Sequence, residues 1–279
     1  MPELITCLVP TRARPEMLKV CTESLLHRAA HPELLAIYVY RDSDDPGEPP
    51  KLDPRCRVFT GPRNPFLGAA YNALFREARR DGIYLALADD FVMTSDTWDD
   101  VVRRTMGVHP DGILLGYLTD SDPYHVAAQV CYPVLTRRWI ETLGYVFAEA
   151  FPFWFTDTWL DEIALMLGRK APVHVEWRPQ GQRGKTTRMR DLAFWAWVFE
   201  AARPERIEDA RKLAALAGIG ELRGITPNLS LTDPLTAAVL ELELSDHGAS
   251  DAGYIQAKRH AVEYLQKLVA AAKTSQPPR

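Results

Sequence analysis

The chain has 279 residues, with 33 Lys plus Arg against 37 Asp plus Glu, a formal charge of −4 at neutral pH. Its 47% hydrophobic and 25% charged residues are those of an ordinary globular protein and exclude a wholly disordered chain or a collagen-like fibre. No apolar run approaches the roughly 18–20 residues of a membrane-crossing helix, and Glu3 precedes a short apolar run where a signal peptide would carry a basic segment, so a cytoplasmic protein is expected.

In chain order, residues 4–10 (LITCLVP) are a short β-rich apolar run and read as a buried strand. Pro15 suits a first helical turn, after which Met17, Leu18, Cys21, Leu25 and Leu26 recur at helical spacing. Residues 34–40 form the next strand and run into the acidic turn Arg41-Asp42-Ser43-Asp44-Asp45-Pro46. A third strand is expected over 57–60 and a helix over 68–80. Residues 83–88 (IYLALA) are apolar without a break, as befits a strand buried on both faces, and end in Asp89-Asp90. Beyond them the pattern predicts a helix over 97–105, strands over 112–118 and 126–130, and a helix over 137–143. An aromatic stretch then leads to a helix from Asp157 to Gly168, with Thr156 or Asp157 as its cap. After Arg203-Pro204 the composition turns to Ala, Leu and Glu-rich helices, with a Gly- and Pro-punctuated loop over 218–234 and an unstructured tail.

Strands alternating with helices predict an α/β fold with a mostly parallel sheet and functional loops at the carboxyl ends of the strands. The α/β domain is expected over residues 1–203. A helical C-terminal region is expected over 204–279, packed on the same domain or serving as an interface, a homo-oligomeric one included. The cysteines Cys7, Cys21, Cys56 and Cys131 are widely spaced with no CxxC pair, which indicates packed free thiols rather than a disulfide framework or a zinc site.

Asp89 and Asp90 place two carboxylates side by side at the end of an apolar strand. Like charges about 4 Å apart repel by roughly 4 kcal/mol at an effective dielectric near 20, so a divalent cation or a raised pKa resolves the conflict. Hard carboxylate oxygens select Mg²⁺ or Mn²⁺, ions that keep open positions for nucleotide phosphates. The alternative is a solvated turn that caps the next helix. Asp42, Asp44 and Asp45 lie at a second strand end facing the same crevice, where carboxylates accept hydrogen bonds from a ribose or a base; a plain solvated turn has the same composition.

These residues resemble the GT-A glycosyltransferases, and within them the family 2-like enzymes, including forms found in bacteria and phages. The run from Val9 through Pro10, Thr11, Arg12, Ala13, Arg14 and Pro15 to Leu18 is similar to that family's V-P-T-x-N-R-P-x-x-L, with Ala13 in place of Asn. The turn at Asp42 resembles the nucleotide-contacting D-D-G-S-x-D, Gly68 to Asn72 the G-x-x-x-N helix start, and Ala88-Asp89-Asp90 the metal-binding D-x-D. Thr156-Asp157 and Gly168 resemble the E-D and G pair at the same separation, with Thr156 in place of Glu and Ile163 where many members carry Arg.

The resemblance implies a GT-A fold, Rossmann-like with helices on both sides of the sheet, over roughly residues 4–190. It implies a sugar transfer from a nucleotide diphosphate sugar with Mn²⁺ or Mg²⁺ as cofactor. Pro10, Thr11, Arg14, Asp42 and Asp89 are then the expected donor-binding residues, with Arg63 and Asn72 as secondary candidates. Asp90 is the expected metal ligand and His174 a further one. Asp157 is the expected base, with Asp161 and Glu162 as competitors on the same helix. The chemistry suits the residue types. A held cation stabilises the departing diphosphate, and a carboxylate within reach takes the proton of the attacking hydroxyl. A single displacement driven by one base inverts the anomeric configuration.

Residues 177–190 carry Arg178, Arg183, Lys185, Arg188 and Arg190 and no acid. They are expected as a loop closing on the diphosphate, as a contact to an anionic acceptor such as nucleic acid, or as a solvated loop. Trp195 and Trp197 read as core or interface residues. The acceptor is open: a glycan, a protein, a small molecule and a modified nucleic acid all fit. Two alternatives to the transferase stand. A nucleotidyltransferase is disfavoured by the absence of glycine from residues 8–15. A catalytically inactive binding module draws its support from Thr156.

Overall fold

The computed structural model describes residues 3–48, 51–64, 66–78, 81–119, 130–152, 155–180, 192–225 and 252–274. The strands are β1 (Ile5–Thr11), β2 (Leu35–Asp42), β3 (Cys56–Gly61), β4 (Ile83–Ala86), β5 (Phe91–Met93), β6 (Leu115–Leu118), β7 (Pro133–Thr136), β8 (Lys170–Val173) and β9 (Trp177–Pro179). The helices are α1 (Pro15–His27), α2 (Leu67–Ala78), α3 (Trp98–Met106), α4 (Arg137–Leu143), α5 (Thr156–Leu167), α6 (Leu192–Ala201), α7 (Arg203–Ala217) and α8 (Ala252–Thr274).

Seven strands form one sheet in the order β3-β2-β1-β4-β7-β6-β8, in which β7 alone runs antiparallel to its neighbours. The fold is thus α/β with a mostly parallel sheet flanked by helices. Alternation along each central strand divides the core in two. Ile5, Cys7 and Val9 of β1, with Ile37, Val39, Ile83 and Leu85, pack on the face covered by α1 and α3. Leu8, Tyr38 and Tyr84 pack on the other face with α2, α4 and α5. Leu213 of α7 and Ala257 and Leu265 of α8 join that second cluster, so the helices beyond residue 204 share the core of the sheet. Among the described residues no helix is long and apolar enough to cross a membrane.

Three expectations need correction. The strand expected over 112–118 begins only at Leu115, because Gly112 is left-handed (φ +67°) and the amide of Ile113 bonds to the Asp111 carboxylate. The cap of α5 is Phe155 (φ +69°), not Thr156 or Asp157, and its ring stacks on Phe199 at 5.1 Å. Packing of that aromatic ring, not a capping side chain, fixes where the helix starts. Residues 177–179, expected as the beginning of a basic loop, form β9 and pair with β5, while 181–190 lie outside the described residues. The strand expected over 126–130 also lies outside them apart from Val130. The antiparallel β7, which follows it, carries no clear pattern in the sequence: it is four residues long and opens on Pro133, a position a strand tolerates because no ladder bond precedes it.

Candidate active site

The parallel strands β1, β2 and β4 end on one edge of the sheet and deliver there two acidic loops, after β2 and β4, and one basic loop, after β1. Because Leu8 pairs with Ala86, the residues three further on in each strand, Thr11 and Asp89, emerge together. The Thr11 hydroxyl donates to Asp89 Oδ2 at 2.8 Å and Arg14 Nη1 donates to Oδ1 at 3.1 Å. Asp89 is only 5% exposed, and burial pushes its carboxyl up from the ordinary value against the pull of Thr11 and Arg14. The Asp90 side chain is 36% exposed and has Arg14 Nη1 at 3.7 Å. The two neighbours therefore differ: Asp89 is tied inward, whereas Asp90 faces outward.

The small β5-β9 ribbon fixes this turn from the other side. Gln180 donates its backbone N–H to the Asp90 carbonyl at 2.7 Å, and its side-chain amide reaches the carbonyls of Met17 (2.8 Å) and Asp89 (3.3 Å). Nothing in the local sequence around Gln180 signals that role, because its partners lie far away along the chain.

The acidic turn after β2 is braced by arginines. Arg12 bonds Asp42 at 2.9 Å and grips Asp44 with both ends of its fork at 2.5 and 3.2 Å. The hydrogen bond from Arg12 holds the Asp44 carboxyl below its ordinary range, with exposed Arg63 adding to the effect. Arg41 donates to Asp45 at 3.2 Å, and the amide of Ala13 donates to the same carboxylate at 2.9 Å. Arg12 and Arg41 thus brace the candidate site, a role that the sequence did not single out because it depends on the β1-β2 register, in which Thr11 pairs with Arg41. Ala13 itself is left-handed (φ +55°), a region in which Asn is at ease and Ala is not, which gives a physical reason for Asn at this place in related sequences.

Asn72 is buried and spends its whole amide on the 146–149 loop. Nδ2 donates to the Phe147 carbonyl and to Glu149 Oε1, both at 2.9 Å, while Oδ1 accepts from the amides of Val146 (2.7 Å) and Phe147 (3.2 Å). One turn earlier, a Cβ on Gly68 would meet the same Phe147 carbonyl at 3.0 Å. The pair thus clamps α2 to the loop, and any effect of Asn72 on a bound donor passes through that loop. Pro10 is partly buried within β1.

On α5 the three acids separate. Asp161 is paired with Lys170 of β8 at 2.5 Å. Glu162 is buried against Arg206 at 2.6 Å, with Arg203 at 3.6 Å. Asp157 has no ion pair among the described residues; it accepts only from the amide (2.8 Å) and hydroxyl (3.3 Å) of Thr158. Desolvation pushes its carboxyl up to about 6.

Among the described residues no three His, Cys, Asp or Glu side chains converge as a ready-made metal cage. His174 is exposed in the link between β8 and β9. One outward carboxylate nonetheless fits Mg²⁺ or Mn²⁺, which bind through one or two carboxylates together with substrate phosphates and water. Asp90 is that carboxylate. A cavity of about 570 Å³, with Tyr145, Trp159, Asp209 and Tyr264 among its walls, lies apart and contains none of the expected site residues.

Residues 6–123 match the family model for glycosyl transferase family 2. That part of the chain is a glycosyl transferase family 2 domain. No curated protein matches it in sequence. The chain is similar in structure to the mannosyltransferase PcManGT of Pyrobaculum calidifontis, solved with GDP-Man and Mn²⁺, at a TM-score of 0.53 and 16% identity over 98% of this chain and 86% of that one. It is also similar to residues 1–349 of S. aureus TarS, solved with UDP-GlcNAc, at a TM-score of 0.51 and 12% identity over 96% of this chain and 83% of that one. At these identities the likeness is one of fold.

Proposed function

We propose that this glycosyltransferase is metal-dependent and inverting, and that it moves a sugar from a nucleotide diphosphate sugar to a hydroxyl group of its acceptor. The observation that carries the reading is the state of Asp157: of the three acids on α5 it alone lacks a cationic partner among the described residues, and its carboxyl lies near 6. A general base needs a free lone pair and a pKa near the working pH. Asp161 and Glu162 are already committed to Lys170 and Arg206, so protonating either one weakens an ion pair.

Asp157 takes the proton of the acceptor hydroxyl as its oxygen attacks the anomeric carbon, and the sugar–phosphate bond breaks on the opposite face, which inverts the configuration. Asp90 holds the divalent ion, with His174 as a candidate further ligand. When bound, the ion supplies positive charge to the departing diphosphate. Thr11 and Gln180 keep the Asp89-Asp90 turn in place, while Asp42 and its neighbours face the nucleoside, and Arg14 and exposed Arg63 the donor. The nucleotide sugars in the two similar structures, GDP-Man and UDP-GlcNAc, support this substrate class.

The reading is tested by incubating the protein with a panel of sugar nucleotides and Mn²⁺ and measuring nucleoside diphosphate release. Release is expected with one nucleotide, abolished by EDTA and restored by added Mn²⁺ or Mg²⁺. Turnover that persists undiminished in EDTA overturns metal dependence.

A further inference from the structure

The place between the two aspartates that end β4 already holds a cation. A single nitrogen, Arg14 Nη1, lies 3.1 Å from Asp89 Oδ1 and 3.7 Å from Asp90 Oδ2. Its hold on the two is unequal, because Asp89 also takes the Thr11 hydroxyl and is shielded from water, whereas Asp90 is 36% exposed. Arg14 is the N-cap of α1, where its side chain makes no capping bond, and that side chain is 43% exposed. A side chain attached at a helix end, open to solvent and held only at its tip, can let go without disturbing β1 or α1.

A guanidinium and a divalent ion carry charge of the same sign and seek the same carboxylate oxygens, so close binding of both to Asp90 is mutually unfavourable. The guanidinium has an alternative partner, because its planar fork matches phosphate oxygens. The geometry points to Arg14 as a placeholder cation. In the donor-free enzyme it neutralises Asp89 and Asp90; when the divalent ion arrives with the nucleotide diphosphate, it yields Asp90 to the ion and turns onto the diphosphate. This assignment rests on the metal-dependent reading above. It has two consequences of opposite sign. Removing the guanidinium favours the metal alone, since a competitor is gone, and disfavours metal plus nucleotide, since a phosphate contact is gone.

The test is a Mn²⁺ titration of the full chain, followed by the electron paramagnetic resonance of the free ion, for the parent protein, Arg14→Gln and Arg14→Lys. Each is titrated without nucleotide and with UDP or GDP. Arg14→Gln is expected to bind Mn²⁺ alone about tenfold more tightly than the parent, and to bind the nucleoside diphosphate at saturating Mn²⁺ about tenfold more weakly, within the range usual for coupled sites. Arg14→Lys, which keeps the charge but loses the fork, is expected between the two. If Arg14→Gln melts before the titration, Arg14→Lys alone carries the comparison, with the same direction expected on a smaller scale. Should the parent take up Mn²⁺ with UDP or GDP while the variants' nucleotide-free affinity is unchanged or lower, the placeholder role is overturned and metal dependence stands. Absence of Mn²⁺ uptake by every protein with either nucleotide overturns both.

Discussion

At the ends of β1, β2 and β4 the carboxylates meet arginines: Asp42 and Asp44 share Arg12, Asp45 has Arg41, and Asp89 and Asp90 share Arg14. On α5, by contrast, Asp161 and Glu162 have cations, and Asp157, one turn nearer the helix start, has none among the described residues. The chemistry follows pairing and burial together. Where an arginine binds an exposed carboxyl, it is held ionised, as at Asp44, whereas at Asp89 burial outweighs the pull of Arg14. Where burial is opposed by hydrogen bonds such as those of the Thr158 amide and hydroxyl but by no cation among the described residues, the proton is held more firmly, as at Asp157, whose value is pushed up to about 6. The paired acids suit recognition and charge balance, and the unpaired one suits proton transfer.

The sharpest way to break the contrast is to neutralise each side in turn. Asp157→Asn is expected to lower the rate of transfer by about 10³-fold while leaving donor affinity unchanged, as loss of a general base does. Asp90→Ala is expected to cost a similar factor but to weaken nucleotide binding in Mn²⁺ as well. Single-turnover rates and equilibrium titration with the nucleoside diphosphate separate the two; equal donor affinity in both variants contradicts the division.

Next in size is the buried pair behind the base. Arg206 has no exposed surface and bonds both Glu162 and the Phe199 carbonyl, with its guanidinium over the Phe199 ring. Arg206→Leu leaves Glu162 buried with only the more distant Arg203, and is expected to destabilise the fold by about 3 kcal/mol in denaturant unfolding. The double variant with Glu162→Leu is expected to recover most of that loss, since two apolar groups need no partner.

A smaller effect concerns pH. The Asp157 carboxyl lies near 6 in the folded protein, above the roughly 3.9 of an unfolded chain, so folding favours its protonated form. That contribution is fully present below about pH 4 and is lost as pH rises through 6. Asp157→Asn is therefore expected to be more stable than the parent by about 2 kcal/mol at pH 7, with the difference vanishing near pH 4. For the active enzyme, kcat/KM is expected to fall about tenfold per pH unit below 6. Parallel melting curves of parent and variant across this range test the assignment directly.

The smallest expected effect probes the loop that joins the two acidic strand ends. Ala13 is left-handed and its amide bonds Asp45. Ala13→Asn is expected to raise stability by about 0.5 kcal/mol, because Asn adopts that backbone with less strain. A drop in melting temperature counts against strain at this position.

Much of this arrangement was legible in the residues themselves. The apolar run of β4 announced a doubly covered strand, and the carboxylates at its end and at the end of β2 announced a crevice between them. Gly168 announced the end of α5, where it is left-handed at φ +66°. The helix start was not legible, because it rests on the stacking of the cap residue Phe155 on Phe199 of α6, far along the chain. Asn72 was read as a donor contact because its spacing from Gly68 fits a motif; only the fold shows that both residues press on the Phe147 carbonyl.

The sequence by itself determined the alternation of strands and helices, and with it the edge of the sheet on which the acidic loops emerge, because side-chain period and turn composition are local properties. The tertiary structure decided which acids acquired partners. Lys170, Arg206 and Arg12 each reach a carboxylate from another element, and Gln180 reaches a turn 91 residues away. A carboxyl's readiness to take a proton depends on burial and on neighbouring charge, and both are fixed only when distant segments pack together.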